Sequence, residues 1–233
     1  MTLVMNQAPL GDAQQGFEAF ARMVQDSIGV CIPQTKRGMI ETRLASRVCA
    51  LGLNNIQEYF RHLFENDGLT SEMRHIEETV TTNKTDFFRE IDHFHYLRNV
   101  ILGSNQTRAG SGVFKAWSAA ASTGAESYSI ALLLAEHALA YPGFNWGILG
   151  TDISGRVLEH ARRGIYSDTV IAPVPEALRS RYLYAGQNEW QGKWRMSPAL
   201  RNHVHFKKMN RIQEAYNVDR DLDLIFLRNV LIH

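Results

Sequence analysis

Between Gly16 and about Val80, apolar side chains recur at helical spacing and nowhere alternate as they do in strands. Phe17, Phe20, Met23 and Val24 form one stripe, Met39, Ile40, Leu44 and Val48 a second, and Ile56, Tyr59, Phe60, Leu63 and Phe64 a third. The spacing predicts three amphipathic helices, with a fourth over residues 71–79. Asn55, followed three positions later by Glu58, supplies an N-cap for the third, because its side chain reaches an orphan amide of the first turn. Four short helices in about 65 residues make a bundle near the lower limit of independent stability.

After Arg98 the texture changes to short apolar runs, each ending in small or polar residues and followed by helical periodicity. Residues 113–118 and 146–150 read as strands, and 126–139 and 154–163 as the helices that follow them. That alternation predicts a parallel sheet. Two further strands are expected over 203–207 and 222–227, the last a nearly continuous apolar run of the kind buried on both faces. Between them, Tyr166 to Leu200 carries Pro173, Pro175, Pro198 and a polar stretch at 186–192, which reads as an insertion with its own small hairpin. The expected class is therefore α/β: an all-α domain followed by a doubly wound sheet with a small antiparallel subdomain.

Composition narrows the chemistry. The 233 residues are 45% hydrophobic and 21% charged, and 25 Lys and Arg against 24 Asp and Glu leave a formal charge of +1. No global basic field exists to hold nucleic acid or an anionic membrane, so neither is expected as a partner. Cys31 and Cys49 lack the CxxC or CxxH company of a zinc or iron–sulfur site, so no metal is expected and a reducing cytoplasm is the expected location. The longest apolar run, Ile130 to Ala135, falls far short of the ~20 residues of a spanning helix, and the N-terminus does not read as a signal peptide.

In open parallel sheets ligands bind beyond the carboxyl ends of the strands, where strand order reverses. The first strand is followed by Ser118-Ala-Ala-Ala-Ser-Thr-Gly124, small residues that let a ligand reach the backbone and the start of a helix. The second ends at Asp152, where one carboxylate can accept two ribose hydroxyls. Asn210 follows the third and Arg228-Asn229 the fourth. The first loop is not GxGxxG, and Glu126 in the first helical turn would repel phosphate but receive an ammonium group. A nucleoside with a cationic amino-acid tail, such as S-adenosylmethionine, fits better than a dinucleotide. Asp152 capping the next helix and Glu126 acting only on the helix dipole are the structural alternatives.

Five separated segments then sharpen the reading: Thr81-Thr-Asn-Lys-Thr-Asp-Phe-Phe-Arg-Glu90, Trp117 to Ser129, Gly150-Thr-Asp-Ile-Ser154, Ala161-Arg-Arg-Gly-Ile-Tyr166 and Leu227-Arg-Asn-Val-Leu-Ile232. Together and in this order they resemble the CheR family of chemotaxis receptor methyltransferases. The resemblance implies a helical receptor-facing domain over 1–80, a linker over 81–110 with the T-x-N-x-T-x-F-F-R-E motif, and a Rossmann-like class I methyltransferase domain over 111–233. The β-subdomain is placed at about 167–202.

The implied activity is S-adenosylmethionine-dependent methylation of glutamate carboxylates on methyl-accepting chemotaxis receptors, with S-adenosylhomocysteine as product. Carried over by motif, Asn83, Thr85, Arg89, Ala121, Glu126, Asp152, Asn210, Arg211, Arg228 and Asn229 bind the cofactor. Arg211 stands where the family has an apolar residue, so its backbone is the part that transfers. Arg89 orients either the incoming carboxylate or the cofactor's own. His233 stands where the family has a tyrosine lining the methyl-transfer site. Lys36, Arg43 and Arg47 share a helical face that the family uses to meet acidic receptor surface, although residues 1–80 carry seven Lys and Arg against ten Asp and Glu and a merely solvated face is the alternative.

Further expectations follow. Ser127 replaces a family proline. The domain reads as incomplete at its C-terminal end, with an unpaired apolar edge on the fourth strand and impaired turnover. A non-catalytic receptor- or nucleotide-binding module is the rival class, and a nucleotide-binding oxidoreductase a weaker one. His93 and His95 are read as core or surface histidines, and Trp190 and Trp194 as hairpin core, with a peptide platform as the alternative.

Overall fold

The computed structural model describes residues 13–66, 68–81, 85–104, 112–210 and 218–228. They fall into two compact units, one built from the N-terminal helices and the other from the remainder.

The first unit holds α1 (Ala13–Ile28), α2 (Arg37–Ala50), α3 (Ile56–Glu65) and α4 (Leu69–Val80). Its core is the predicted stripes: Phe17, Phe20, Val24 and Ile28, then Ile40, Leu44 and Val48, then Tyr59, Phe60 and Leu63, closed by Ile76 and Val80. Each such side chain contributes about 1.5–3 kcal/mol on burial. Met39, placed in the apolar stripe by spacing, lies instead at the exposed edge of α2. The α3 cap forms as expected: the Asn55 side chain accepts the Glu58 N–H at 2.9 Å. Glu58 returns a bond to the Asn54 N–H, also at 2.9 Å, one residue earlier than the usual reciprocal box.

The second unit is a parallel sheet of β1 (Val113–Ala119), β2 (Asn145–Asp152), β6 (Val204–Lys208) and β7 (Leu224–Leu227) in the order β6-β2-β1-β7. The crossover helices are α6 (Ala125–Ala140) after β1 and α7 (Gly155–Arg163) after β2. β2 and β6 lie on one side of β1 and β7 on the other, so strand order reverses between β1 and β7. α6 is apolar nearly all round and buried from Ala125 to Leu132, which is what a helix on the face of such a sheet requires. Ahead of β1, α5 (Ile91–Tyr96) runs on as a π-turn over Leu97–Ile101. Phe87, Phe88, Phe94, Leu97 and Leu102 of this segment are part of the second unit's core.

The expected insertion is a second sheet in the order β3-β5-β4, made of β3 (Ile165–Ser167), β4 (Leu183–Ala185) and β5 (Lys193–Met196), antiparallel throughout. It begins earlier than expected, at Ile165, and it includes the short helices α8 (Asp168–Ile171) and α9 (Glu176–Tyr182). The four-residue α10 (Pro198–Arg201) leads into β6.

Two expectations about burial are corrected. β7 is not buried on both faces: Leu224 and Phe226 are buried, whereas Ile225 and Leu227 are 54% and 42% exposed. It is an edge strand, and only one of its faces is covered among the described residues. Trp190 is not hairpin core but 57% exposed in the turn between β4 and β5. Trp194 is half-buried and donates its indole N–H to Asp168 at 2.6 Å.

Candidate functional site

The carboxyl ends of β1, β2 and β7 converge on a loop of strained backbone. Ala120 and Ser122 have φ of 67° and 49°, left-handed values that L side chains adopt at a cost of about 1–3 kcal/mol each. Hydrogen bonds over-determine the loop. The Ala121 N–H donates to the Thr151 carbonyl at 2.8 Å, the Ser122 N–H to Asp152 Oδ2 at 2.9 Å, and the Gly124 N–H to the Ala121 carbonyl at 2.9 Å. The Tyr166 hydroxyl donates to the Thr123 carbonyl at 2.7 Å. Burial pushes the Tyr166 phenol well above its ordinary pKa, so it stays a donor.

Two glycines make this closeness feasible. A Cβ on Gly124, whose φ is +89°, would lie 2.9 Å from the Ala161 Cβ, and one on Gly150 would lie 2.6 Å from the Phe206 ring.

Asp152 is buried and already used twice. Besides the Ser122 amide, its Oδ1 accepts the Ser154 N–H at 3.0 Å, forming the turn that opens α7. The capping alternative is therefore real, but it does not exhaust the group. Two carboxylate oxygens offer about four acceptor directions, more than these two amides take up.

Glu126 lies in the first turn of α6 and is held from two sides. Oε1 accepts the Ser118 hydroxyl at 2.7 Å, and Oε2 accepts Arg228 Nε at 2.7 Å, with the two charged side chains only 9% and 11% exposed. The Arg228 guanidinium also donates to the Arg89 carbonyl, stands 3.6 Å from the Glu90 carboxylate and lies over the rings of Phe94 and Phe226 at 5.3 and 5.5 Å. A carboxylate and a guanidinium, side by side and mostly out of water, are complementary to a zwitterion.

The segment that presents Arg89 is strained as well. Phe88 and Glu90 have φ of 52° and 55°. They are pinned by the Phe88 N–H donating to the Ser129 hydroxyl at 3.0 Å, by Phe87 edge-on to Tyr166 with ring centroids 5.0 Å apart, and by Arg228 on the Arg89 carbonyl. The Arg89 side chain is exposed and stands 4.0 Å from Glu90. Thr85, at the start of this segment, is half-buried, as is Asn210 just beyond β6.

Of the expected cofactor residues, the structure therefore gathers Arg89, Ala121, Glu126, Asp152 and Arg228 around the ends of β1, β2 and β7. Asn83, Arg211, Asn229 and His233 lie outside the described residues. Ser118, Ser129 and Tyr166 were not singled out. The signal for Ser129 is a small polar residue within the apolar stretch of α6, and for Tyr166 its place at the end of the Ala161–Tyr166 segment; Ser118 differs in nothing visible from its small neighbours.

In the helical unit Arg47 makes a bidentate pair with Glu72 at 2.6 and 2.7 Å, and the Tyr59 hydroxyl donates to the same carboxylate at 3.3 Å. Glu72 is 1% exposed, and the Arg47 hydrogen bonds hold its carboxyl below the usual range. Arg43 donates to the Thr79 carbonyl at 3.1 Å, and Lys36 sits half-buried just ahead of α2. Among the described residues no three His, Cys, Asp or Glu are grouped to hold a metal ion, and no helix is long and apolar enough to cross a membrane.

Comparison with known proteins agrees with this division. Residues 83–233 match the family model described as the CheR methyltransferase SAM binding domain, and residues 15–81 that described as the CheR methyltransferase all-alpha domain. The chain is 36% identical over 224 residues to a chemotaxis protein methyltransferase of Salmonella typhimurium, an alignment covering 96% of this chain and 74% of the relative. It is 35% identical over 224 residues to one from Escherichia coli, covering 96% and 75%, and 34% identical over 217 residues to one from Borreliella burgdorferi, covering 91% and 75%. With both models matched in order and S-adenosylmethionine binding named for the larger, the chain belongs to the CheR methyltransferase family.

Proposed function

We propose that this chain transfers a methyl group from S-adenosylmethionine to glutamate side-chain carboxylates of chemotaxis receptors. The observation that carries the reading is the buried Glu126–Arg228 pair beside Asp152 on one rim of the sheet. The cofactor is a nucleoside joined to an amino-acid zwitterion, and this donor and acceptor set answers both halves. Glu126 would hold the ammonium group, Arg228 the carboxylate and Asp152 the ribose hydroxyls. Ala121 and its small neighbours carry little bulk to keep a ligand from the backbone. When bound, the cofactor supplies a methyl group on an electrophilic sulfonium.

The chain's own residues then act by placement. A receptor glutamate with a pKa of about 4.3 is ionised at neutral pH, so no side chain has to remove a proton. Strong pairing of that carboxylate in the ground state would slow the reaction, because its charge disappears as the bond forms. An exposed Arg89 on a rigid, strained segment suits orientation better than tight capture. By family motif, Asn83, Thr85, Asn210, Arg211 and Asn229 complete the cofactor contacts and His233 the methyl-transfer site. On the helical unit Lys36 and Arg43 would meet the receptor, with Arg47, committed to Glu72, as a positioning residue for that face.

The test is calorimetric titration with S-adenosylhomocysteine and, separately, NADH, followed by transfer of labelled methyl from S-adenosylmethionine to receptor-containing membranes. Micromolar binding of S-adenosylhomocysteine alone, with base-labile label on the receptor, is the expected result. Binding without transfer would make the chain a non-catalytic module, and NADH binding would overturn the cofactor class.

A further inference from the structure

The cluster around Arg228 holds two titratable side chains to which the cofactor reading gives no task. Glu90 and His93 stand one helical turn apart at the start of α5, and both approach the guanidinium. Arg228 Nη1 lies 3.6 Å from Glu90 Oε2 and 3.4 Å from His93 Nδ1, and those two atoms are 3.5 Å apart. His93 is half-exposed, so its ring exchanges protons freely with water.

The donors of Arg228 give the imidazole its place. A guanidinium carries five N–H groups in a rigid fork. Nε directs its one to Glu126, and Nη1 directs the first of its two to the Arg89 carbonyl. The second Nη1 hydrogen has His93 Nδ1 within reach, and a ring nitrogen accepts only when it carries no proton. Phe94 and Phe226 hold the guanidinium over their rings, and Nη2 makes no hydrogen bond among the described residues. With Nε and Nη1 filled, Nη2 is the nitrogen left to meet a ligand carboxylate. Protonation of Nδ1 removes the acceptor, sets a second cation beside Nη1 and draws the ring toward Glu90. The other charges nearby do not offset this: Glu126 is already engaged through Nε, Asp92 lies 4.0 Å from His95, and the Arg89 side chain, 4.0 Å from Glu90, adds to the positive charge.

We propose that His93 is a positioning residue for Arg228: the neutral imidazole fixes the guanidinium that takes the carboxylate at the amino-acid end of the cofactor, and protonation of His93 loosens that grip, so that cofactor affinity falls on acidification. This rests on the methyl-transfer reading above and adds to it a control of the same crevice by pH. The effect is confined to one end of the ligand. A nucleoside without the amino-acid end brings no carboxylate to Arg228 and is therefore indifferent to the state of His93.

The experiment measures, by calorimetry, binding of S-adenosylhomocysteine and of methylthioadenosine, the same nucleoside thioether without the amino and carboxylate groups. Titrations run between about pH 8 and about pH 5.5, the interval in which imidazole side chains change charge. Four chains are compared. They are the wild type; His93→Asn, whose amide oxygen replaces Nδ1 with an acceptor that acid does not remove; His93→Ala; and His95→Asn, which alters the neighbouring histidine paired with Asp92.

The wild type is expected to lose about threefold to tenfold in S-adenosylhomocysteine affinity across that interval, the range of one partly exposed charged contact, while its affinity for methylthioadenosine holds. His93→Asn should match the wild type at the upper pH and keep that affinity at the lower one. His93→Ala should bind S-adenosylhomocysteine weakly at both, and His95→Asn should follow the wild type. Wild-type affinity that holds or rises on acidification overturns the proposal. So does a fall that persists in His93→Asn, that vanishes in His95→Asn, or that methylthioadenosine shares. Should His93→Ala fail to fold, the asparagine variant and the truncated nucleoside still decide the matter. Binding of neither nucleoside by the folded wild type at the upper pH would sink the methyl-transfer reading and this proposal with it.

Discussion

Replacing Asp152 by Ala or Asn separates the two tasks assigned to that side chain. Its oxygens accept the Ser122 N–H at 2.9 Å and the Ser154 N–H at 3.0 Å. A hydrogen bond to a charged group contributes about 1.5–3 kcal/mol, and truncation leaves both amides unpaired. The side chain is 9% exposed, so water can reach the truncated site and the lower end of the range applies to each bond. The alanine variant is therefore expected to lose about 3 kcal/mol of folding stability, read as a lower denaturant midpoint for the second unit. Asparagine keeps one acceptor oxygen but turns an N–H toward the other amide, and is expected to lose about 2 kcal/mol. Cofactor binding grades differently. Alanine removes both ribose acceptors, and calorimetry should find S-adenosylhomocysteine bound about 100-fold more weakly; asparagine, still able to accept one hydroxyl, about tenfold. An unchanged midpoint in the alanine variant would show that the left-handed loop stands without Asp152. Unchanged affinity in a folded alanine variant would remove Asp152 from the cofactor site.

Three other substitutions test the surrounding framework. Gly124→Ala places a Cβ on a residue at φ +89° and 2.9 Å from Ala161, so it should destabilise the second unit by about 2–4 kcal/mol and weaken S-adenosylhomocysteine binding in calorimetry. Tyr166→Phe keeps the packing on Phe87 but orphans the Thr123 carbonyl; about 1 kcal/mol of stability and a threefold to tenfold loss of affinity, roughly, are expected. Glu72 is held below its ordinary pKa of 4.5 mainly by the Arg47 hydrogen bonds. Its contribution is therefore full above that value and is lost as pH falls through the lower folded one. Far-UV circular dichroism should show the helical unit weakening below that pH, whereas Glu72→Gln should be less stable at neutral pH by about 1–3 kcal/mol and show a flatter acid limb.

Element type was legible in the sequence wherever burial is one-sided. Helices α1 to α4 and the β1–α6–β2–α7 alternation follow from apolar spacing, and their ends fall within a few residues of the expected ones because caps such as Asn55 are local devices. What failed was burial that depends on position in the sheet. Residues 222–227 have the apolar composition of a strand covered on both faces, but Ile225 and Leu227 of β7 are exposed, and a continuous apolar run does not say which faces are covered. Trp190 failed for a related reason, since an aromatic beside a turn glycine reads the same whether the turn folds inward or out. At the candidate site, strand-end chemistry pointed to Asp152 and Glu126, which the structure places at the end of β2 and in the first turn of α6. The Glu126–Arg228 pair was not legible, because it joins residues 102 positions apart through the β1–β7 neighbour relation.

Conformational strain explains why these groups are rigid enough to use. Phe88, Glu90, Ala120 and Ser122 all have positive φ, and together they represent roughly 4–12 kcal/mol of local cost. That cost is comparable to the whole stability of an ordinary domain, so the geometry persists only because each strained stretch is tied to other elements of the second unit. Thr151 and Asp152 hold the first loop from β2, Ser129 holds the Phe88 amide from α6, and Arg228 holds the Arg89 carbonyl from the end of β7. Arg228 thus has two roles that pull together. It presents a guanidinium beside Glu126, and it fastens the segment that carries Arg89. A group that competes for the guanidinium alone leaves the Arg89 tether intact, because the two bonds use different nitrogens: Nε for Glu126 and Nη1 for the carbonyl. The ligand site can therefore exchange partners without releasing the strained loop.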